Sequence, residues 1–138
     1  MAIFPSKEWA DDVYSKINAS EEYAKTAADW EKSVTLIIEA EKGKLDNSFI
    51  LWLDPWHGKV RSYEILKSIE DKQSDFIITS TYSTWKEIVK GEKNPTKLLL
   101  ERKLKVKGSM TYLLRRTKTN DALMNVLKSV KSEFADEG

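Results

Sequence analysis

The chain has 138 residues, 41% of them hydrophobic and 33% charged, which suits one domain with one core and leaves no stretch of about 20 apolar residues to cross a bilayer. It has no cysteine and a single histidine, so disulfides, thiolate nucleophiles, Cys-ligated metals and multi-histidine metal sites are excluded. The net charge of +1 hides an asymmetry: residues 1–54 carry six Lys and eleven Asp or Glu, whereas residues 97–131 carry ten Lys or Arg and two acids. The basic part could attract an anionic ligand, a membrane surface or a nucleic acid.

The start, MAIFPSKEW, has no basic segment followed by a long apolar one, so no signal peptide is expected and the location expected is cytoplasmic. Ser6 is placed as an N-cap, with Trp9, Val13 and Ile17 on one helix face. Ser20 is a second N-cap, and Tyr23, Ala24, Ala27 and Ala28 give that helix a small-residue face. From Ser33, SVTLIIEAEKG is β-branched and predicts a strand. SFILWLD (48–54) is continuously apolar and predicts a strand buried on both faces; DPWHG (54–58) predicts a turn, and KVRSYEI (59–65) a third strand. Short links between them argue an antiparallel meander.

After the polar link 68–74, DFIITST (75–81) predicts a fourth strand. Ser83 is expected to cap a short helix that Gly91 ends, and Asn94 caps the next, with Pro95 at its first position. Lys103, Lys105 and Lys107 alternate with Leu104 and Val106 in a fifth strand, 103–107, which Gly108 ends. Met110, Leu113 and Leu114 then share a helical face. Asn120 or Asp121 is expected to restart a helix whose stripe is Leu123, Val126, Leu127, Val130 and Phe134, and the tail ADEG is expected to fray. The order predicts a single α+β domain over residues 1–138, a mostly antiparallel five-stranded sheet with helices covering one face.

Motifs of catalysis are missing: no nucleophile elbow, no phosphate-binding loop, no dinucleotide fingerprint. His57 has no orienting partner or nucleophile nearby in sequence, and Asp11-Asp12 and Glu21-Glu22 are adjacent pairs that point apart on a helix. No enzyme activity, metal or cofactor is therefore expected. Nucleic-acid binding is not expected either, because Tyr112 is the only aromatic among the basic residues. An apolar set remains: Trp85, Ile88, Leu98, Leu99, Met110, Leu113, Leu114, Leu123, Val126 and Leu127. Periodicity alone leaves open whether these fill a core or line a cavity.

The stretch DFIITSTYSTWKEIVKGEKNPTKLLLERKLKVKGSMTYLL (75–114) resembles the C-terminal half of the sterol carrier protein domain family, through Asp75, Trp85, Gly91, Pro95, Lys103, Leu104, Lys105, Val106 and Gly108. The resemblance is close over about forty residues. Upstream, only element order and the meander match. One position departs: the family often has glycine before Lys-Leu-Lys-Val, where this chain has Arg102. The resemblance implies a hydrophobic tunnel between sheet and C-terminal helices, and non-enzymatic binding of a fatty acid, acyl-CoA, sterol or isoprenoid-like lipid. The apolar set would line it. Lys103, Lys105, Lys107, Arg115 and Arg116 would meet an anionic headgroup or, transiently, an anionic membrane surface. The chain would be a monomer or homodimer. The competing reading keeps the fold with a filled core, as a protein-interaction or dimerisation module using Trp56 and Tyr112.

Overall fold

The structure, a computed structural model, describes residues 1–137. Strand β1 (Ala2–Phe4) leads into helices α1 (Lys7–Ala19) and α2 (Glu21–Thr26). Both helices begin on serine: Ser6 accepts the Trp9 N–H and Ser20 the Tyr23 N–H, donors that a helix start leaves without partners. The α1 face buries Trp9, Val13 and Ile17 at the predicted spacing.

Strands β2 (Val34–Glu39), β3 (Phe49–Trp56) and β4 (Lys59–Leu66) form the antiparallel meander. Strand β5 (Phe76–Thr81) pairs with β2 in parallel, and β6 (Lys105–Lys107) pairs antiparallel with β5. The five-stranded order is β4-β3-β2-β5-β6, so the sheet is mostly antiparallel but mixed. The parallel pairing follows from the link 67–75, which carries the chain back from edge strand β4 past β3 to the far side of β2. That link crosses the sheet face away from the helices. Lys72 lies 4.5 Å over the Trp52 ring, and Ser74 hydrogen-bonds Thr35.

Strand β3 is not buried on both faces. Leu51, Leu53 and Pro55 are buried, while Ile50, Trp52 and Asp54 between them are half-buried. Helices cover one face only, and the thin link leaves the other partly open. The turn is also shorter than DPWHG. Strand β3 runs on to Trp56 through a register shift between Leu53 and Pro55, and His57 and Gly58, with φ of 49° and 84°, make a two-residue hairpin turn.

Helix α3 (Tyr82–Val89) starts from Thr81, whose hydroxyl accepts the Thr84 N–H, rather than from Ser83. Ser83 instead gives its N–H and hydroxyl to Glu41 at 2.9 and 2.7 Å. Helix α4 (Pro95–Leu100) has the expected Asn94 cap and Pro95 start. The next strand begins at Lys105, not Lys103, because the Lys103 and Leu104 N–H groups both turn back to the Leu98 carbonyl, at 2.8 and 3.2 Å. Gly108 has φ of 131°, and a Cβ there would sit 2.6 Å from the Asp75 carbonyl oxygen, so only glycine fits the crossing into α5 (Met110–Leu114).

Helix α6 (Thr117–Ser129) begins before Asn120 and lacks a side-chain cap. Phe134 is not on it: Val130 ends the helix, and β7 (Ser132–Phe134) pairs in parallel with β1. Nor is the tail frayed. Asp136 accepts the Tyr82 hydroxyl at 2.8 Å and Lys86 at 3.0 Å, and Glu137 pairs with Lys86 and with Lys90 at 2.7 Å. Gly138 lies outside the described residues.

Candidate functional site

Strand register places Leu36 opposite Ile78, and Ile78 opposite Val106, in one apolar row facing the helices. Above this floor come Trp85 and Ile88 from α3, Leu99 from α4, Leu113 from α5, and Leu123 and Leu127 from α6. They line a cavity of about 90 Å³. A second cavity, of about 60 Å³, continues toward α1 and α2 and is lined by residues including Ile17, Tyr23, Trp30 and Phe76. Leu36, Ile78, Leu113, Asn120 and Leu123 border both, so they form a partition across one apolar interior.

Polar groups hold the walls. The Trp85 indole donates to the Ile37 carbonyl at 2.9 Å, and Thr119, almost fully buried, donates to the Thr26 carbonyl at 2.7 Å. Asn120 Nδ2 donates to the Leu113 carbonyl at 3.0 Å. Burial pushes the Tyr23 phenol up to about 12, so the hydroxyl stays protonated at neutral pH.

The residues expected on the wall separate into groups. Trp85, Ile88, Leu99, Leu113, Leu123 and Leu127 border the first cavity. Leu98 and Val126 are buried in the core but border neither cavity. Met110 and Leu114 do not line it: they are 36% and 39% exposed, because at i and i+4 they share the outer face of a five-residue helix whose inner residue is Leu113. The strand floor, together with Pro95, Thr96, Asn120 and Met124, was not among the expected residues. Alternation on the strands marks Leu36 and Ile78 as inward-facing, but not as wall rather than filled core.

None of Lys103, Lys105, Lys107, Arg115 and Arg116 borders either cavity. The three lysines are exposed along edge strand β6 and the turn before it. Arg115 and Arg116 border a separate recess of about 300 Å³ with Tyr112. There the Arg116 guanidinium lies 4.5 Å over the Tyr112 ring and bonds Asp29 at 2.6 Å. A different polar recess, about 550 Å³, adjoins the first cavity through Pro95 and Met124, which border both. It carries Lys93, Asn94, Asn125 and Lys128 together with Glu92 and Asp121.

His57 has a partner that local sequence could not show: Nε2 lies 2.5 Å from Glu31 Oε2, both side chains being exposed. The pair sits at the β3–β4 turn and borders neither cavity. Among the described residues, no group of three or more His, Asp or Glu is placed to hold a metal ion, and no helix is long and apolar enough to cross a membrane.

The sequence profile of the SCP-2 sterol transfer family matches residues 12–119. The chain belongs to that family. A crystal structure of sterol carrier protein 2 is 28% identical, with a TM-score of 0.83 over 91% of this chain and 98% of its own. A conserved hypothetical protein from Thermus thermophilus, described as possibly a sterol carrier protein, is also 28% identical, with a TM-score of 0.82 over 93% of this chain and 90% of its own. Palmitated SCP2L2 from Aedes aegypti, at 12% identity and a TM-score of 0.57 over 96% of this chain and 100% of its own, shares the fold alone. No curated protein sequence matches the chain. SCP-2 family membership and fold support a lipid-binding or lipid-transfer role. Within the SCP-2 pattern, Asp75 ties β5 to β2 by accepting the Ser33 N–H at 2.9 Å, and Trp85 is a wall of the cavity.

Proposed function

We propose that the protein is a non-enzymatic carrier that holds a fatty acid, acyl-CoA, sterol or isoprenoid-type ligand in the divided cavity between the sheet and the helices. The carrying observation is the cavity itself: an almost wholly apolar interior, at the sheet–helix interface of a lipid-carrier family, with one end against a polar recess. The apolar part of the ligand lies along Leu36, Ile78 and Leu99, each buried methylene contributing about 0.8 kcal/mol before ordering costs. Its polar end lies toward Lys93 and Lys128.

The two voids, about 90 and 60 Å³, are far below the roughly 300 Å³ at the lower end of ligand pockets. Loading therefore requires Leu113 and Leu123 to leave the partition and the wall to move outward. Lys103, Lys105, Lys107 and Arg115, with the exposed Leu100, Met110 and Leu114, suit transient contact with an anionic membrane rather than a headgroup inside the cavity. A cytoplasmic monomer or homodimer is the setting that goes with this reading.

Native mass spectrometry of the purified protein, with displacement of a fluorescent fatty acid, tests it. A bound lipid mass and saturable displacement are expected; their joint absence overturns it. The small voids favour a second reading, an interaction module with a nearly filled core and Trp56, 39% exposed, at its surface. Concentration-dependent mass in light scattering without ligand uptake would establish that one instead.

A further inference from the structure

Asn120 stands out in the α6 stripe that lines the first cavity. Residues 120, 123, 124 and 127 recur at helical spacing, and Leu123, Met124 and Leu127 are apolar. Its residue type suggests a helix cap, but the helix has already begun at Thr117 and Asn120 caps nothing. Its side chain instead borders both cavities at the partition. One amide hydrogen is used on the Leu113 carbonyl at 3.0 Å; Oδ1 has no hydrogen-bond partner among the described residues, and a second amide hydrogen remains. The second cavity holds another such group. Tyr23 borders it at 4% exposure, and its hydroxyl is likewise without a partner among the described residues.

We infer that the ligand carries a hydroxyl with apolar carbon on both sides of it, seated where the two cavities meet, with Asn120 as the specificity-determining residue and Tyr23 in support. This rests on the carrier reading above and narrows it. A hydroxyl both donates and accepts, so it answers Oδ1 and the spare amide hydrogen of Asn120 together. Water can serve these groups in the empty protein. A plain hydrocarbon chain displaces that water and leaves an acceptor unpaired in an apolar wall, which costs more than the lost bond is worth in water. Selection comes from the cost to the wrong ligand, not from extra attraction to the right one.

The test uses the whole chain and two probes of equal length, octadecanoic acid and 12-hydroxyoctadecanoic acid, competing against one fluorescent fatty acid. Asn120 is half-buried, so the hydroxylated probe is expected to displace at a concentration lower by up to about tenfold, the size set by one acceptor left unpaired. Asn120→Leu should bring the ratio of the two displacement concentrations close to one, whatever the variant's overall affinity. Tyr23→Phe removes a single oxygen and serves where the Leu variant fails to fold; it should reduce the preference in the same direction. Equal displacement by both probes in the wild-type protein, or a preference unchanged in both variants, overturns the inference and leaves the carrier reading standing. Failure of both probes to displace overturns this inference, and together with no bound lipid mass in native mass spectrometry it overturns the carrier reading as well.

Discussion

Replacing Arg102 by glycine should make the protein more stable. Arg102 has φ of 62°, in the left-handed region, and its neighbours show why. Helix α4 ends with the Arg102 N–H on the Leu99 carbonyl at 3.1 Å and the Lys103 N–H on the Leu98 carbonyl at 2.8 Å. These are the paired bonds of a Schellman ending, which puts its first residue past the cap in the left-handed conformation. Helix α3 ends the same way, with Gly91 N–H on Ile88 at 2.9 Å and Glu92 N–H on Glu87 at 2.9 Å, and there the residue is glycine, with φ of 78°. For a residue with a Cβ the left-handed conformation costs roughly 1–2 kcal/mol. Glycine gives back about 0.5–1 kcal/mol through the greater freedom of its unfolded chain. Arg102 is exposed and makes no ion pair among the described residues, so little else is lost. The net gain is about 0.5–1 kcal/mol, or a rise of about 2–4 °C in Tm for a chain of this size. Urea denaturation and a thermal melt would read it, with Arg102→Ala as the control that keeps the Cβ and should gain nothing. An unchanged or lower midpoint for Arg102→Gly, or an equal gain from Arg102→Ala, refutes the reasoning.

The tail should make stability fall in acid. Burial pushes Asp136 up, but the Tyr82 hydroxyl and then the Lys86 ammonium outweigh it and hold the carboxyl below its ordinary value; Lys86 and then Lys90 do the same for Glu137. Lowered folded pKa values mean stabilisation that is present above the ordinary carboxylate pKa and lost as pH falls through the lowered ones. A Tm series against pH should therefore show wild type above Asp136→Asn at neutral pH and the gap closing in acid; a constant gap would contradict it. At the cavity, Leu99→Trp places a larger side chain against a void of about 90 Å³, and should abolish fatty-acid displacement while lowering the unfolding free energy, read from urea denaturation, by less than the ~1–3 kcal/mol cost of overpacking a filled core. Retained displacement would remove the ligand from that cavity.

Local chemistry made much of the fold legible. Ser6, Ser20 and Asn94 cap the helices they were expected to cap, because each hydroxyl or amide reaches an N–H within its own turn. Where the sequence misled, the deciding contact was remote. The tail looks like a frayed end until Tyr82, Lys86 and Lys90 come within reach, and β3 looks doubly buried until the helices are all found on one side. Strand 103–107 starts late because Leu98 captures two N–H groups from across a turn. At the cavity, helical spacing brought together Trp85, Ile88, Leu99, Leu113, Leu123 and Leu127, which border it. It failed for Met110 and Leu114, since a helix of one turn and a half has too few residues for its stripe to fix which face turns inward. Asn120 looks like a cap in the sequence because its environment, a partition between two voids, is a property of three dimensions alone.

The walls differ in how firmly they are held. The floor belongs to the sheet, with Leu36, Ile78 and Val106 on neighbouring paired strands. Helix α3 is gripped on both sides: Trp85 bonds the sheet inward, and Tyr82 and Lys86, with Lys90 beyond them, bind the tail outward. Helix α6 is tied to α2 through Thr119, and through Asn125, which donates to Glu22 at 2.9 Å. Among the described residues, helix α4 has no such tie. Its side-chain cap and its Schellman bonds are all within its own segment, only Leu98 is buried, and Leu99 is half-buried over the cavity. A segment with local bonds and little buried surface opens at low cost, and α4 stands beside the polar recess. The same economy accounts for Arg102. A strained residue at the end of α4 lowers the stability of that segment, so on the carrier reading, in which α4 gives way along with Leu113 and Leu123, Arg102→Gly tests loading as well as folding: the stabilised variant should take up fatty acid more slowly than wild type.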